Sequence, residues 1–178
     1  QRDFEGSPDM GGYVGRMGKS IGVADPLLAK ILVANSGSVW VAIVALDLTI
    51  IDIEFTRQVR EKASKNTGIP AENILLAPSQ THSGVAMTAL GMYPNEDSKH
   101  WTDTINGIAI GIETAVNQMK EATIGFGRGD FRDYTINRRD PDLDADGELL
   151  VIRLDIEEKP IGILYNVACH PLLLDYRN

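Results

Sequence analysis

Apolar residues along the chain change their spacing in a way that separates strands from helices. Leu27 to Ala34 and Val39 to Leu46 are short runs rich in Val, Ile and Leu, split by Asn35-Ser36-Gly37-Ser38. Two such runs around a turn-forming tetrapeptide predict a β-hairpin. From Ile53 to Thr67 the apolar positions take up helical spacing, and Gly68 follows as a stop, because glycine readily adopts the left-handed backbone that ends a helix. Ile74 to Ala77 reads as a short buried strand leading into a polar loop. Ile105, Ile108, Ile112, Val116 and Met119 recur at helical spacing within Ser98–Ala122. They predict the longest helix, with Asp97 or Ser98 as its cap.

Beyond that helix the pattern returns to strands. Ile124 to Phe126 is a Gly-rich strand candidate, an irregular stretch runs to Gly147, and Leu149–Ile156 faces Pro160–Ala168 across Glu157-Glu158-Lys159 as a second hairpin. Residues 1–24 are Gly-rich and weakly patterned, as expected of a loop or irregular edge. Alternating strands and helices predict an α/β fold with a mixed sheet flanked by helices. Residues 1–178 read as one domain portion. The strand Ile161–Ala168 and the apolar Leu172-Leu173-Leu174 lie close to Asn178, so the expectation is the N-terminal portion of something larger. A start at Gln1 instead of Met leads to the expectation of an upstream segment removed, as in a secreted or periplasmic protein.

Charge narrows the partners. A net charge of −8 over 178 residues argues against nucleic acid, whose phosphates call for clustered Lys and Arg. The one basic doublet, Arg138-Arg139, is followed by Asp140, Asp142, Asp144 and Asp146. No run approaches the ~20 apolar residues of a transmembrane helix. The single cysteine, Cys169, cannot form an internal disulfide.

Candidate chemistry sits at strand ends. Asp47 follows Val39–Leu46, His82 follows Ile74–Ala77 within Ser79-Gln80-Thr81-His82-Ser83-Gly84, and His170 follows Ile161–Ala168. Ligands bind beyond the carboxyl ends of parallel strands. If these strands are parallel neighbours, the three side chains gather at one edge. Imidazole nitrogen and carboxylate oxygen are zinc donors, so Asp47, His82 and His170 are metal candidates. The plainer reading is that each caps its own loop. Arg138 offers a planar guanidinium for an oxyanion or carboxyl group, and an ion pair with the nearby aspartates is the plainer alternative.

Other motifs carry less. Cys169 beside His170 suggests a dyad, but adjacent strand residues point to opposite faces, so Cys169 reads as a small buried apolar residue. Asp142-x-Asp144-x-Asp146-Gly147 begins like a calcium loop, yet position 153 is Arg where the loop needs Glu. A solvated acidic turn fits better. Gly18-Lys19-Ser20 lacks the first glycine of a phosphate loop, and Arg128-Gly129-Asp130 is a chance tripeptide. His100, at the start of a helix without polar companions, reads as surface.

The order of five segments adds to this. Gly11-Gly12-Tyr13, Asp47 closing a strand, Thr81-His82-Ser83-Gly84, Ile136-Asn137-Arg138 and Ala168-Cys169-His170-Pro171 together resemble the N-terminal part of the catalytic domain of the neutral/alkaline, non-lysosomal ceramidases. The resemblance spans nearly the whole chain. It implies a zinc-dependent amide hydrolase acting on a lipid amide, ceramide, with His170 at a zinc-ligand position and His82 and Arg138 on the substrate side. The family's other ligands, a Glu and a Tyr, would lie beyond Asn178.

The chain departs from the family loop at two places: Gln80 stands where that loop has its first, zinc-binding His, and Val85 stands where it has Pro. A neutral amide oxygen is a poorer zinc donor than imidazole, so occupancy falls unless His82 or Asp47 takes part. Three readings follow. The chain belongs to a ceramidase-like hydrolase of a linear amide or of another amide or ester. Alternatively it is a non-catalytic relative that uses the same cleft for ligand binding, which Gln80 favours. In the third, the histidines are structural.

Overall fold

The computed structural model describes residues 10–13, 20–85, 87 and 99–170. The apolar runs pair as two three-stranded sheets, each in its own unit. Among the described residues the first unit runs to Met119 and the second spans Lys120–His170.

In the first unit β1 (Ala29–Asn35) and β2 (Trp40–Leu46) form the expected antiparallel hairpin, with Asn35 opposite Trp40. β3 (Ile74–Pro78) lies parallel to β2 on the other side, giving the order β1-β2-β3. A parallel pair needs a crossover, and α1 (Ile53–Thr67) supplies it. Its bounds are those the periodicity predicts. The Asp52 side chain accepts from the Phe55 N–H at its start, and Gly68 closes it at φ +77.

α2 (Lys99–Asn117) stops five residues short of the expected end, because Thr123 already belongs to a strand paired with Asp155. Its expected caps, Asp97 and Ser98, lie outside the described residues. The two helices and one sheet face enclose the core. Ala42, Val44 and Leu46 of β2, Ile74 and Leu76 of β3, Phe55, Val59 and Ala63 of α1, and Trp101, Ile105, Ile108 and Ile112 of α2 are buried there. Phe55 and Trp101 meet edge to face at 5.2 Å between centroids. Alternate residues of β2 fall on the opposite face and are only partly covered, as the period of two requires.

The second unit is an antiparallel meander of β4 (Thr123–Asp130), β5 (Glu148–Ile156) and β6 (Lys159–Val167). β4 is longer than the expected Ile124–Phe126, because β5 offers partners along the whole of Thr123–Asp130. Glu157 and Glu158 turn the hairpin with φ of 50° and 62°, a two-residue turn of the kind that matches strand twist. The expected α/β class, a mixed sheet flanked by helices, is found in the first unit, and the second unit adds a wholly antiparallel sheet. Alternation along a strand tells which face is apolar but not which strand pairs with it.

Between β4 and β5 the chain is irregular, as expected. A 3₁₀ turn, Arg132–Tyr134, lies shortly before Asn137. Asp142, Asp144 and Asp146 are exposed in a turn that leads into a strand, in keeping with a solvated acidic turn. Gly147 carries the close approach that holds this stretch together. Its carbonyl accepts from the Phe131 N–H at 2.7 Å, and an added Cβ would run into Arg132 Cγ and lie 2.9 Å from the Arg132 nitrogen.

Candidate functional site

Because β2 and β3 run parallel in register, with Leu46 opposite Pro78, their carboxyl ends open on the same edge. Asp47 leaves β2 there, and Ser79-Gln80-Thr81-His82 leaves β3. The two outgoing segments are laced together. The Ser79 N–H and hydroxyl both donate to the Leu46 carbonyl, at 2.9 and 3.1 Å. The Thr81 N–H donates to Leu48 O at 3.2 Å, and the Thr49 hydroxyl donates to Thr81 O at 2.7 Å. Further along, the Met87 N–H donates to Ile50 O and the Asp52 N–H to Met87 O. The loop is held to the sheet through its backbone together with the Ser79 and Thr49 hydroxyls.

Each candidate has a definite place. Asp47 closes the hairpin base: its N–H donates to Leu28 O, and its Oδ2 accepts from the Leu28 N–H, both at 3.0 Å. Gln80 is exposed and sits at φ +58, and the exposed Ser83 follows at φ +62. Two left-handed residues other than glycine within four positions mark a tight turn around Thr81-His82. His82 is half-buried, and both its ring nitrogens are shut away from solvent. Its imidazole meets the Tyr13 ring edge to face, with centroids 4.6 Å apart.

Gly11-Gly12-Tyr13, expected as loop and one of the five segments of the family resemblance, lines this turn. The Gly11 N–H donates to Gly84 O at 2.8 Å, the Ser83 N–H donates to Gly11 O at 3.2 Å, and Met10 bridges Val85. No local signal announces a contact between segments so far apart in the chain.

The remaining candidates belong to the second unit. Arg138 is exposed and joins none of the ion pairs among the described residues. Asn137 shapes its turn, with Oδ1 accepting from the N–H groups of Arg139 and Asp140. His170 is half-buried just past the end of β6. The parallel-neighbour condition therefore holds for Asp47 and the His82 loop, whereas His170 ends a strand of the antiparallel sheet. Cys169 is corrected from buried to exposed: it lies past the last paired residue of β6, Val167, whose carbonyl takes its N–H. His100 is exposed, as read.

One cleft of about 350 Å³ lies within the second unit, lined by Arg128, Asp130, Arg132, Asp144, Asp146 and Glu148. Arg128 pairs with Glu148 at 2.9 Å and Arg132 with Asp130 at 3.6 Å, while Asp144 and Asp146 add negative charge beyond these pairs. No group of three or more His, Cys, Asp or Glu able to hold a metal ion occurs among the described residues. Nor, among them, is any helix long and apolar enough to cross a membrane.

No protein-family model and no curated protein matches the chain. Solved structures do. A ceramidase complexed with C2 superimposes with a TM-score of 0.64 at 23% identity, covering 79% of this chain and 25% of its own. The neutral ceramidase from Pseudomonas aeruginosa gives a TM-score of 0.64 and 23% identity, with 76% and 24% covered. The resemblance read from the motifs is borne out as a likeness of fold. The chain has the fold of about a quarter of a neutral ceramidase chain.

Proposed function

We propose that the chain is part of a ceramidase-like hydrolase that cleaves a linear amide bond of a lipid substrate. The observation that carries this reading is the His82 turn, laced to the carboxyl ends of two parallel strands in a fold shared with ceramidases. Such a strand edge is where open sheets containing parallel strands place their ligands.

His82 and Arg138 are the substrate-side residues in this proposal. An imidazole donates or accepts a proton at a stated nitrogen, and the buried nitrogens of His82 would act away from bulk water. Arg138 is held on an exposed turn by Asn137, and its guanidinium would donate to the oxygen on which charge develops.

Zinc belongs to the proposal through His170. When bound, the ion lowers the pKa of its water and polarises the amide carbonyl. A structural or catalytic zinc takes three or four protein donors. The described residues do not supply such a set by themselves. Asp47 already accepts from Leu28, and Gln80 offers only an amide.

Gln80 favours a second reading, a non-catalytic relative that binds a lipid amide at the same strand edge. One experiment separates the two. The full-length protein is assayed for release of fatty acid from an N-acyl sphingoid base, and its metal is measured with and without His170→Ala. Hydrolysis, with stoichiometric zinc lost in the variant, supports the proposal. Binding without hydrolysis supports the second reading. Metal content unchanged by His170→Ala removes His170 as a ligand.

A further inference from the structure

Gly12 and Tyr13 are remote from His82 in sequence, yet they form the surface on which its ring rests. A Cβ at Gly12 would fall 2.7 Å from both Cγ and Nδ1 of His82, and 3.0 Å from its Cα. The first two contacts are with the ring. The third is with backbone and cannot be relieved by turning a side chain. Gly12 also has φ +103, where a residue with a side chain is strained. Two independent constraints therefore select glycine at this position, and one of them is the imidazole itself.

Tyr13 fixes the second direction. Its ring meets the imidazole at an interplanar angle of 76°, the edge-to-face arrangement that aromatic quadrupoles favour. The segment is kept in register by the Gly11–Gly84 and Ser83–Gly11 hydrogen bonds and by the Met10–Val85 bridge. Backbone pairing sets the height of the segment, the bare α-carbon of Gly12 lets the imidazole lie down, and the Tyr13 ring blocks its rotation.

We infer that Gly12 and Tyr13 are positioning residues that hold the His82 imidazole in one orientation. Its consequence for turnover rests on the substrate-side reading of His82, whereas the orientation itself does not. Both residues act through His82 and not on the substrate.

The test uses full-length protein carrying ¹³C-labelled histidine, with the His82 ring signals identified by their loss in His82→Gln. In the unaltered protein the ring current of Tyr13 displaces those signals. Tyr13→Phe retains the displacement and Tyr13→Leu abolishes it. Gly12→Ala moves the same signals, while the other histidines and the tryptophan emission stay in place. Tyr13→Leu keeps the inference testable if Gly12→Ala fails to fold.

Turnover gives the second readout. A displaced catalytic-site group costs about tenfold to a hundredfold in kcat, so Gly12→Ala and Tyr13→Leu lower kcat with KM little changed, and Tyr13→Phe restores it. His82 signals that are unchanged in both Gly12→Ala and Tyr13→Leu overturn the inference. Signals that move while turnover holds support the seat and overturn the substrate-side reading of His82.

Discussion

The two units solve the same problem, a three-stranded sheet with apolar faces, in opposite ways. In the first, α1 and α2 cover one face, and Ala42, Val44, Phe55, Val59 and Ile112 are fully enclosed. In the second, the sheet is bare among the described residues: Phe126 is 80% exposed, Tyr165 65% and Ile163 63%. Register places Phe126 beside Ile152, and Tyr165 and Ile163 beside Val151 and Arg153. Apolar side chains therefore stand on both faces. The difference teaches that backbone pairing alone makes a sheet, while a core needs a second layer.

The contrast can be broken first at Phe55. Phe55→Ala removes a fully buried ring that Trp101 packs against, and a loss of about 3–5 kcal/mol is expected. Urea unfolding followed by tryptophan fluorescence measures it, both tryptophans, Trp40 and Trp101, lying in this unit. A loss below about 1 kcal/mol would mean the first unit has no closed core.

Gly147→Ala probes the second unit where it is tightest. The new methyl group meets Arg132 side chain and backbone together, and relief of such crowding costs about 1–3 kcal/mol. Loss of protection at the Phe131 amide in hydrogen exchange would report it, and wild-type protection would count against the contact.

The third variant, Asp52→Ala, removes the cap at the start of α1 and is expected to cost about 1 kcal/mol. Asp52→Asn should restore most of it. Equal losses in both would assign the effect to something other than capping.

The smallest effect sharpens the comparison most. Phe126→Ser, on the exposed sheet face, is expected to stay within about 0.5 kcal/mol in the 178-residue chain. In a longer protein that covers this face the same change would cost several times more. Equal, small losses in both settings would show that the face is solvated.

How much of this was legible in the sequence depends on whether a feature is local. α1 was legible to the residue, because its apolar spacing and the glycine after it are both written within Ile53–Gly68. Both hairpins were legible for the same reason. The partition into two sheets was not, since nothing in β6 says that its neighbour is β5 alone. At the site, the Thr-His-Ser-Gly turn was legible from its composition. The contact with Gly12 and Tyr13 was not, because it depends on the chain returning to the same place. Cys169 was misjudged because residue type predicts burial only inside a covered element, and β6 has ended before it.

The left-handed backbone at Gln80 bears on how this loop can change over time. A position at φ +58 tolerates Asn, Asp and His far better than β-branched or bulky residues. The exchange between glutamine and the histidine of the similar loop therefore asks little of the main chain, which is held through Ser79 and Thr81 on either side. Under the proposed zinc reading, a change of donor at this one residue leaves the backbone of the loop in place.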